Sequence, residues 1–296
     1  MCSTCGCSEG DVTITPAHHH HDHEHHHDHG HAHHHENMNA SPVIVHHHYY
    51  HQGDVHHHIH YHVSALPETE DAHLTPAQPV KRIIDIEEDV LAKNNEIAAH
   101  NRHHFKEANI TALNFVSSPG SGKTTLLCET LKRILPEHHC QVIEGDQQTQ
   151  NDAKRIDATG APAIQINTGK GCHLDAKMVH DAMHQLDAVQ GSYLFIENVG
   201  NLVCPASFDL GEKHKVAVLS VTEGEDKPLK YPHMFAASSL LLINKIDLLE
   251  HLDFDLTRCM QYAHQVNPEL TIIPISATTG EGMNEWLQWL EAQQCA

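Results

Sequence analysis

The chain has 296 residues, with 39 Asp and Glu against 18 Lys and Arg, a formal net charge of −21, and 35 His. That balance leaves no basic patch for a nucleic-acid backbone, and no apolar run approaches the length needed to span a bilayer, so neither partner is expected. Nine Cys, three of them inside Met1–Cys7, and a start without a basic-then-apolar leader point to thiolate metal ligation in a cytoplasmic protein rather than to a disulfide framework.

The first element in chain order is Cys2-x-x-Cys5-x-Cys7. It offers three soft donors within one tight wrap that Gly6 permits, and the α-amino group is available as a fourth. A square-planar set of three sulfurs and one nitrogen favours Ni²⁺, whereas a tetrahedral set suits Zn²⁺. From His18 to His73 the chain is His-rich, with runs at His18–His21, His25–His27, His33–His35, His46–His48 and His56–His58. This whole N-terminal stretch, the first seventy-odd residues, has almost no Leu and no sustained helical or strand period. It cannot bury enough apolar surface to offset its ordering entropy, so a disordered arm is expected. Many imidazoles on such an arm bind nickel, copper, zinc or cobalt loosely and in exchangeable sets, which suits storage or local enrichment. The expected division is 1–79 for the Cys cluster and His-rich arm, and 80–296 for a folded domain.

From Val80 to Ala108, the residues Ile83, Ile84, Ile86, Val90, Leu91 and Ile97 predict an amphipathic helix leading into that domain. Strand-like runs follow at Ile110–Val116, Gln141–Glu144, Ala163–Ile166, Tyr193–Glu197, Lys215–Val221, Leu240–Asn244 and Thr271–Ile275. They alternate with helix-like stretches at Thr124–Leu135, Asp175–Leu186 and Met283–Glu291. The alternation predicts an α/β fold, a mostly parallel sheet with helices on both faces.

Between the first of these strands and its helix lies Ser117-Ser-Pro-Gly120-Ser121-Gly122-Lys123-Thr124-Thr125, a phosphate loop. Gly120 and Gly122 let backbone N–H groups approach phosphates, Lys123 supplies positive charge, and the Thr124 hydroxyl is placed for Mg²⁺. The usual pattern begins with Gly, where this chain has Ser117; the phosphate-contacting half is intact. Leu240–Asn244 runs into Asn244-Lys245-Ile246-Asp247. The Asp247 carboxylate can accept both N1–H and the exocyclic amine of guanine, a pair of donors that adenine lacks. Asn244 would tie this turn to the phosphate loop, and the Lys245 stem would cover the base. Ser276-Ala277, after the last strand, fits a second guanine-contacting loop. In a GTPase the end of a strand such as Tyr193–Glu197 carries an acid near Mg²⁺, here Glu197 rather than the more common Asp, and a glycine, here Gly200, whose N–H would meet a γ-phosphate. Asp146 is a second candidate for the magnesium shell, or an exposed turn residue after Gly145. Lys123, Thr124, Asp146 and Glu197 form the expected catalytic set, acting mainly through charge neutralisation on bound GTP.

Cys172-His173 and Cys204 make a further constellation, Cys204 lying on the segment that should respond to the γ-phosphate. Adjacent side chains diverge on a helix or strand, so Cys172 and His173 could share one ion only at a turn or across a two-fold interface. Cys128, Cys140 and Cys259 read as buried filler, an alternative that also stands for Cys172 and Cys204.

Together these residues resemble the HypB family, GTPases of nickel insertion into nickel–iron hydrogenases. The likeness rests on Met1–Cys7, the His-rich arm, Ser118–Thr124, Gly171-Cys-His-Leu-Asp175, Glu197-Asn-Val-Gly-Asn-Leu-Val-Cys-Pro205 and Asn244–Asp247. It implies a SIMIBI-class P-loop GTPase fold, a nickel site at Cys2, Cys5 and Cys7, and a weaker nickel or zinc site at Cys172, His173 and Cys204 near a nucleotide-favoured homodimer interface. Implied partners are a HypA-type zinc metallochaperone and a hydrogenase large-subunit precursor. Leu248, Leu249 and Leu252 match the family's dimer helix, or serve as core residues. The urease accessory GTPases also carry His-rich arms, but read Cys-Pro-His where this chain has Cys172-His173. A metal-storage protein with a regulatory nucleotide domain is the alternative of a different class.

Overall fold

The computed structural model describes residues 13–16, 78–147, 151–186 and 189–294; for 13–16 and 78–87 only the backbone is described. Cys2, Cys5, Cys7 and the His-rich runs lie outside the described residues. In chain order the elements are β1 Thr13–Pro16, α1 Gln78–Glu107, β2 Thr111–Ser117, α2 Lys123–Ile134, β3 Cys140–Asp146 and α3 Asn151–Asp157. Then come β4 Ala163–Asn167, α4 Ala176–Met183, β5 Tyr193–Glu197, α5 Cys204–Ser207, β6 His214–Ser220, α6 Lys227–Lys230 and α7 Pro232–Ala237. The last are β7 Leu240–Asn244, a 3₁₀ turn Ile246–His251, α8 Leu256–Val266, β8 Thr271–Pro274 and α9 Met283–Gln294.

Eight strands form one sheet in the order β1-β4-β3-β5-β2-β6-β7-β8. Seven are parallel, and only β1 runs antiparallel, pairing Thr13 with Asn167 and Pro16 with Ile164. The sequence reading assigned no strand within 1–79, so β1 is an addition to it. Its β-branched residues Thr13, Ile14 and Thr15 suit a pleated surface, and Pro16 is tolerated because the strand lies at an edge.

Alternation along the central strands sets the two faces. Leu113, Phe115, Tyr193, Phe195, Val216, Val218, Leu240 and Leu242 pack with α2 and α9 through Leu127, Leu131, Trp286 and Leu290. The intervening residues of β2 and β5, Ala112, Leu194 and Ile196, turn to the other face, against Phe105 of α1 and Val179, Ala182 and Met183 of α4. On that same face Ala217, Leu219, Leu241 and Ile243 meet Met234, Phe235, Cys259 and Ala263 of α7 and α8. Strands buried on both faces explain their near-continuous apolar runs. Buried Trp286 donates to the Thr130 hydroxyl at 2.9 Å, which satisfies its one polar atom. Leu248 and Leu249 lie partly buried against the second face, while Leu252 is exposed.

The phosphate loop leaves the C-terminal end of β2, a central strand flanked by β5 and β6. In open α/β sheets ligands settle at that end, where the chain winds in both directions.

Candidate nucleotide pocket and metal loop

Residues from five segments line one cavity of about 520 Å³ at this end of the sheet: 117–125, 144–147, Asp152 with Arg155, 197–200, and Lys245. Gly120 and Gly122 adopt φ of +77° and +89°, left-handed values that non-glycine residues rarely hold. At Gly122 a Cβ would also come within 2.6 Å of the Asn244 side-chain nitrogen. That close approach lets Asn244 donate to the Ser121 carbonyl at 3.0 Å, while its oxygen accepts from the Ala277 N–H. Asn244 thus ties the phosphate loop to the Ser276-Ala277 loop. Lys245 holds a left-handed φ of 64° and donates to the Gly120 carbonyl at 2.6 Å. Asp247 accepts from the Ser276 hydroxyl. Of these base-side residues, Lys245 lines the cavity itself.

The acid of the pocket is Glu197, buried at 2 % exposure at the end of β5. One of its oxygens accepts from the Thr124 hydroxyl at 2.6 Å and lies 3.4 Å from the Lys123 ammonium. Its other oxygen is buried and has no hydrogen-bond partner among the described residues. A hydroxyl and a carboxylate with an unsatisfied oxygen make an oxygen-donor pair of the kind Mg²⁺ uses. Asp146 lines the same cavity at the end of β3. Beside them sits Glu144, a residue that sequence reasoning passed over. Burial, together with the negative charges of Glu197, Asp146 and Asp152, pushes its carboxyl up to about 9. It is therefore protonated near neutrality, and one of its buried oxygens also has no partner among the described residues. Arg155 of α3 reaches the Thr125 hydroxyl at 2.7 Å and pairs with Asp152.

Gly200 closes the pocket from the other side. A Cβ there would approach Pro119 backbone atoms at 3.1 Å, so the segment after β5 lies directly against the phosphate loop.

The same segment continues to Cys204, one of the three candidate metal ligands. Cys172 and His173 follow a tight turn in which the Gly171 N–H reaches the Thr168 carbonyl at 2.8 Å. Cys204 opens α5. Cys172 Sγ lies 3.1 Å from Cys204 Sγ and 3.7 Å from His173 Nδ1, and the three donor atoms are all within 4.8 Å of one another. Among the described residues no other such group of three is found. The turn geometry brings the adjacent Cys172 and His173 together within one chain. Burial holds His173 below its ordinary histidine range, against the opposing charge of Asp175, so its ring is neutral and able to ligate. Two thiols and an imidazole suit ions of the nickel and zinc class. By contrast Cys128, Cys140 and Cys259 are buried, with burial raising all three thiols and taking Cys140 and Cys259 to about 12.

One side chain joins pocket and loop. Asn198, next to Glu197 and 1 % exposed, accepts from the Leu174 N–H at 3.0 Å and donates to Asn114 of β2 at 3.2 Å. Asn114 in turn donates to Glu212, and Glu212 lies 3.8 Å from the buried ammonium of Lys215. Lys215 donates to the carbonyls of Pro205, Ala206 and Phe208, just past Cys204. Both halves of the metal loop are therefore held by buried polar groups that trace back to the end of β5.

Comparison with known proteins agrees with this geometry. The family profile for the CobW/HypB/UreG nucleotide-binding domain matches residues 111–274. Hydrogenase maturation factor HypB of Escherichia coli K12 is 54 % identical over 296 residues, covering all of both chains. The chain belongs to the HypB family. Its Rhizobium leguminosarum bv. viciae member is 62 % identical over 216 residues, 73 % of this chain and 72 % of that one. Two solved HypB structures superpose with TM-scores of 0.65 at 38 % identity. One, from Helicobacter pylori in complex with nickel, covers 68 % of this chain and 95 % of its own; the other, from Archaeoglobus fulgidus, covers 69 % and 99 %.

Within this HypB fold, the structure places Gly120, Ser121, Gly122, Lys123, Thr124, Thr125, Asp146, Glu197, Gly200 and Lys245 around one cavity. Asn244 is hydrogen-bonded to the phosphate loop and to Ala277, and Asp247 to Ser276. Cys172, His173 and Cys204 converge, whereas Cys2, Cys5 and Cys7 lie outside the described residues. Glu144, Arg155 and Asn198 were given no role by the sequence reading: Asn198 lies within the Glu197–Pro205 run, Glu144 offered only the signal of a carboxylate ending an apolar strand run, and Arg155, in a helix, offered none.

Proposed function

We propose that the chain is a GTP-hydrolysing nickel metallochaperone of hydrogenase maturation, in which nucleotide state sets the nickel affinity of Cys172, His173 and Cys204 and favours a homodimer. The observation that carries this reading is the position of Asn198. It adjoins the acid of the nucleotide pocket and hydrogen-bonds the loop that bears two of the three metal ligands. A third phosphate that shifts the 197–200 segment would move Leu174, and with it Cys172 and His173, while Cys204 lies on the same segment. That is a two-state element biased from both sites.

The protein's own groups account for hydrolysis. Lys123 and the N-terminal N–H groups of α2 stabilise negative charge on the phosphates as water attacks in line. Thr124, Glu197 and Asp146 would hold Mg²⁺, which when bound neutralises charge on the phosphate oxygens. Asp247, oriented by Ser276, selects guanine, and Asn244 keeps the base wall in register with the phosphate loop. Nickel is the cargo. Cys2, Cys5 and Cys7 form its tighter site and the His-rich arm its reserve, with zinc the competing ion at the domain site. This follows the family likeness and the nickel complex of the Helicobacter pylori relative. The nucleotide domain spans 80–296, and a HypA-type zinc metallochaperone and a hydrogenase large-subunit precursor are the partners in the cytoplasm. Among the described residues no helix is long and apolar enough to cross a membrane.

The direct test compares GTP and ATP turnover by the full chain. Preferential GTP hydrolysis is expected, and equal turnover of the two nucleotides contradicts the guanine assignment.

A further inference from the structure

Helix α4 carries metal-ligating side chains that neither the nucleotide pocket nor the cysteine loop uses. His180 lies in its last turn and His184 is the residue that caps it; their Nε2 atoms face each other at 3.1 Å. The tautomer of His180 follows from its other neighbour. Asn101 of α1 donates through Nδ2 to the carbonyls of Ala176 and Leu210, which leaves its Oδ1 facing His180 Nδ1 at 3.1 Å. An acceptor at that place requires the proton on Nδ1, so His180 Nε2 is an acceptor; without an ion it accepts from His184 Nε2–H, and a metal ion would take the place of that proton. An outer hydrogen bond of this kind is what fixes the ring and tautomer of a metal-ligating histidine.

The spacing also fits an ion. Two imidazole nitrogens bound at about 2.0–2.1 Å to one metal stand about 3.0 Å apart at a right angle and about 3.4 Å apart at the tetrahedral angle. The separation of 3.1 Å lies between these, close to the cis arrangement. A third ring, His100 of α1, meets His180 edge-on with centroids 5.2 Å apart.

We propose that His180 and His184 form a two-imidazole site for a divalent transition-metal ion of the nickel, copper and zinc class. The site offers two protein ligands and leaves the rest of the coordination sphere to water or a passing donor, which makes it a site of exchange rather than storage. Cys172 and His173 precede the first turn of α4, whereas His180 lies in its last turn and His184 caps it. The two-imidazole site needs no nucleotide, and so stands or falls separately from the coupling proposed above.

Residue-resolved carbethoxylation of the full chain, read peptide by peptide with and without Ni²⁺, tests it. Ni²⁺ should slow modification of His180 and His184 together, both in the unmodified sequence and in a Cys172→Ser/Cys204→Ser variant. In His184→Ala, a change at an exposed position, His180 should react at one rate with or without Ni²⁺. Three results overturn the proposal: no protection by Ni²⁺, protection that vanishes with the two cysteine substitutions, or protection of His180 that survives His184→Ala.

Discussion

The phosphate loop and the metal loop border the same short segment, 197–204, yet they are held in different ways. The phosphate loop is fixed by its backbone. Gly120 and Gly122 occupy left-handed conformations, and Asn244 and Lys245 grip its carbonyls from the base-recognition side. The metal loop has no such frame. Its donors come from positions 32 residues apart, and side-chain amides and one buried ammonium hold the backbone around them: Asn198 on Leu174, Asn201 on Cys172, Lys215 on Pro205 and Ala206. In the proposed coupling the phosphate loop, whose glycine conformations are set, serves as the reference, and the cysteine loop is the part that responds.

Substitutions can separate the two. The largest effect is expected for Lys123→Ala, which removes the cation at the phosphates and should lower the GTP turnover number by about 100- to 1000-fold. Nickel affinity at the domain site without nucleotide should stay unchanged, as equilibrium titration would read. Cys204→Ser does the converse. It should weaken nickel binding at the domain site by more than the about 10- to 100-fold typical of an outer-shell loss, with metal-free GTP turnover retained. If Cys204→Ser lowered metal-free turnover as much as Lys123→Ala does, the two loops would not be separable.

Asp247→Asn replaces an acceptor of two guanine donors by an amide. The KM for GTP should rise by about 100-fold, with preference shifting toward xanthosine triphosphate, whose carbonyl matches the new donor. Asn198→Ala tests the link itself. It should cost about 1–3 kcal/mol of stability, because buried N–H groups lose their acceptor. Turnover and metal binding should survive while the dependence of one on the other collapses. The smallest effect belongs to Glu144→Gln. The folded value of the Glu144 carboxyl, about 9, stands above its ordinary 4.5. Its contribution to stability is therefore complete below about 4.5 and is lost as pH climbs toward 9. Thermal melts of the nucleotide-free protein should show Glu144→Gln matching the parent at pH 4 and exceeding it by a few degrees at pH 8.

How far these features could be read without coordinates depends on where their causes lie. The strands Tyr193–Glu197 and Leu240–Asn244 carry the boundaries their apolar runs predict, since a strand buried on both faces writes its length directly into composition. The phosphate loop and the Asn244–Asp247 turn were equally legible, because their chemistry is local. Strand β1 was not: four residues that need the edge of β4 to be a strand carry little signal of their own. For Cys172, His173 and Cys204 the residues alone left a turn, a two-fold interface and buried filler open, and only the family likeness implied a shared site; the Thr168–Gly171 turn that brings them together depends on contacts. Glu144 and Asn198 were illegible for a related reason. Each ends or follows an apolar run, and what sets its role is the neighbouring strand: Glu197 beside Glu144, and Asn114 beside Asn198.

The most direct measurement is the nickel affinity of the Cys172–His173–Cys204 site in the full chain, taken as the difference between the parent and Cys204→Ser, with GDP and with a non-hydrolysable GTP analogue. The two nucleotides should give affinities that differ by about fivefold or more, the range of ordinary allosteric coupling, and the difference should disappear in Asn198→Ala. Equal affinities in the parent chain would contradict the claim that the bound phosphate governs the metal.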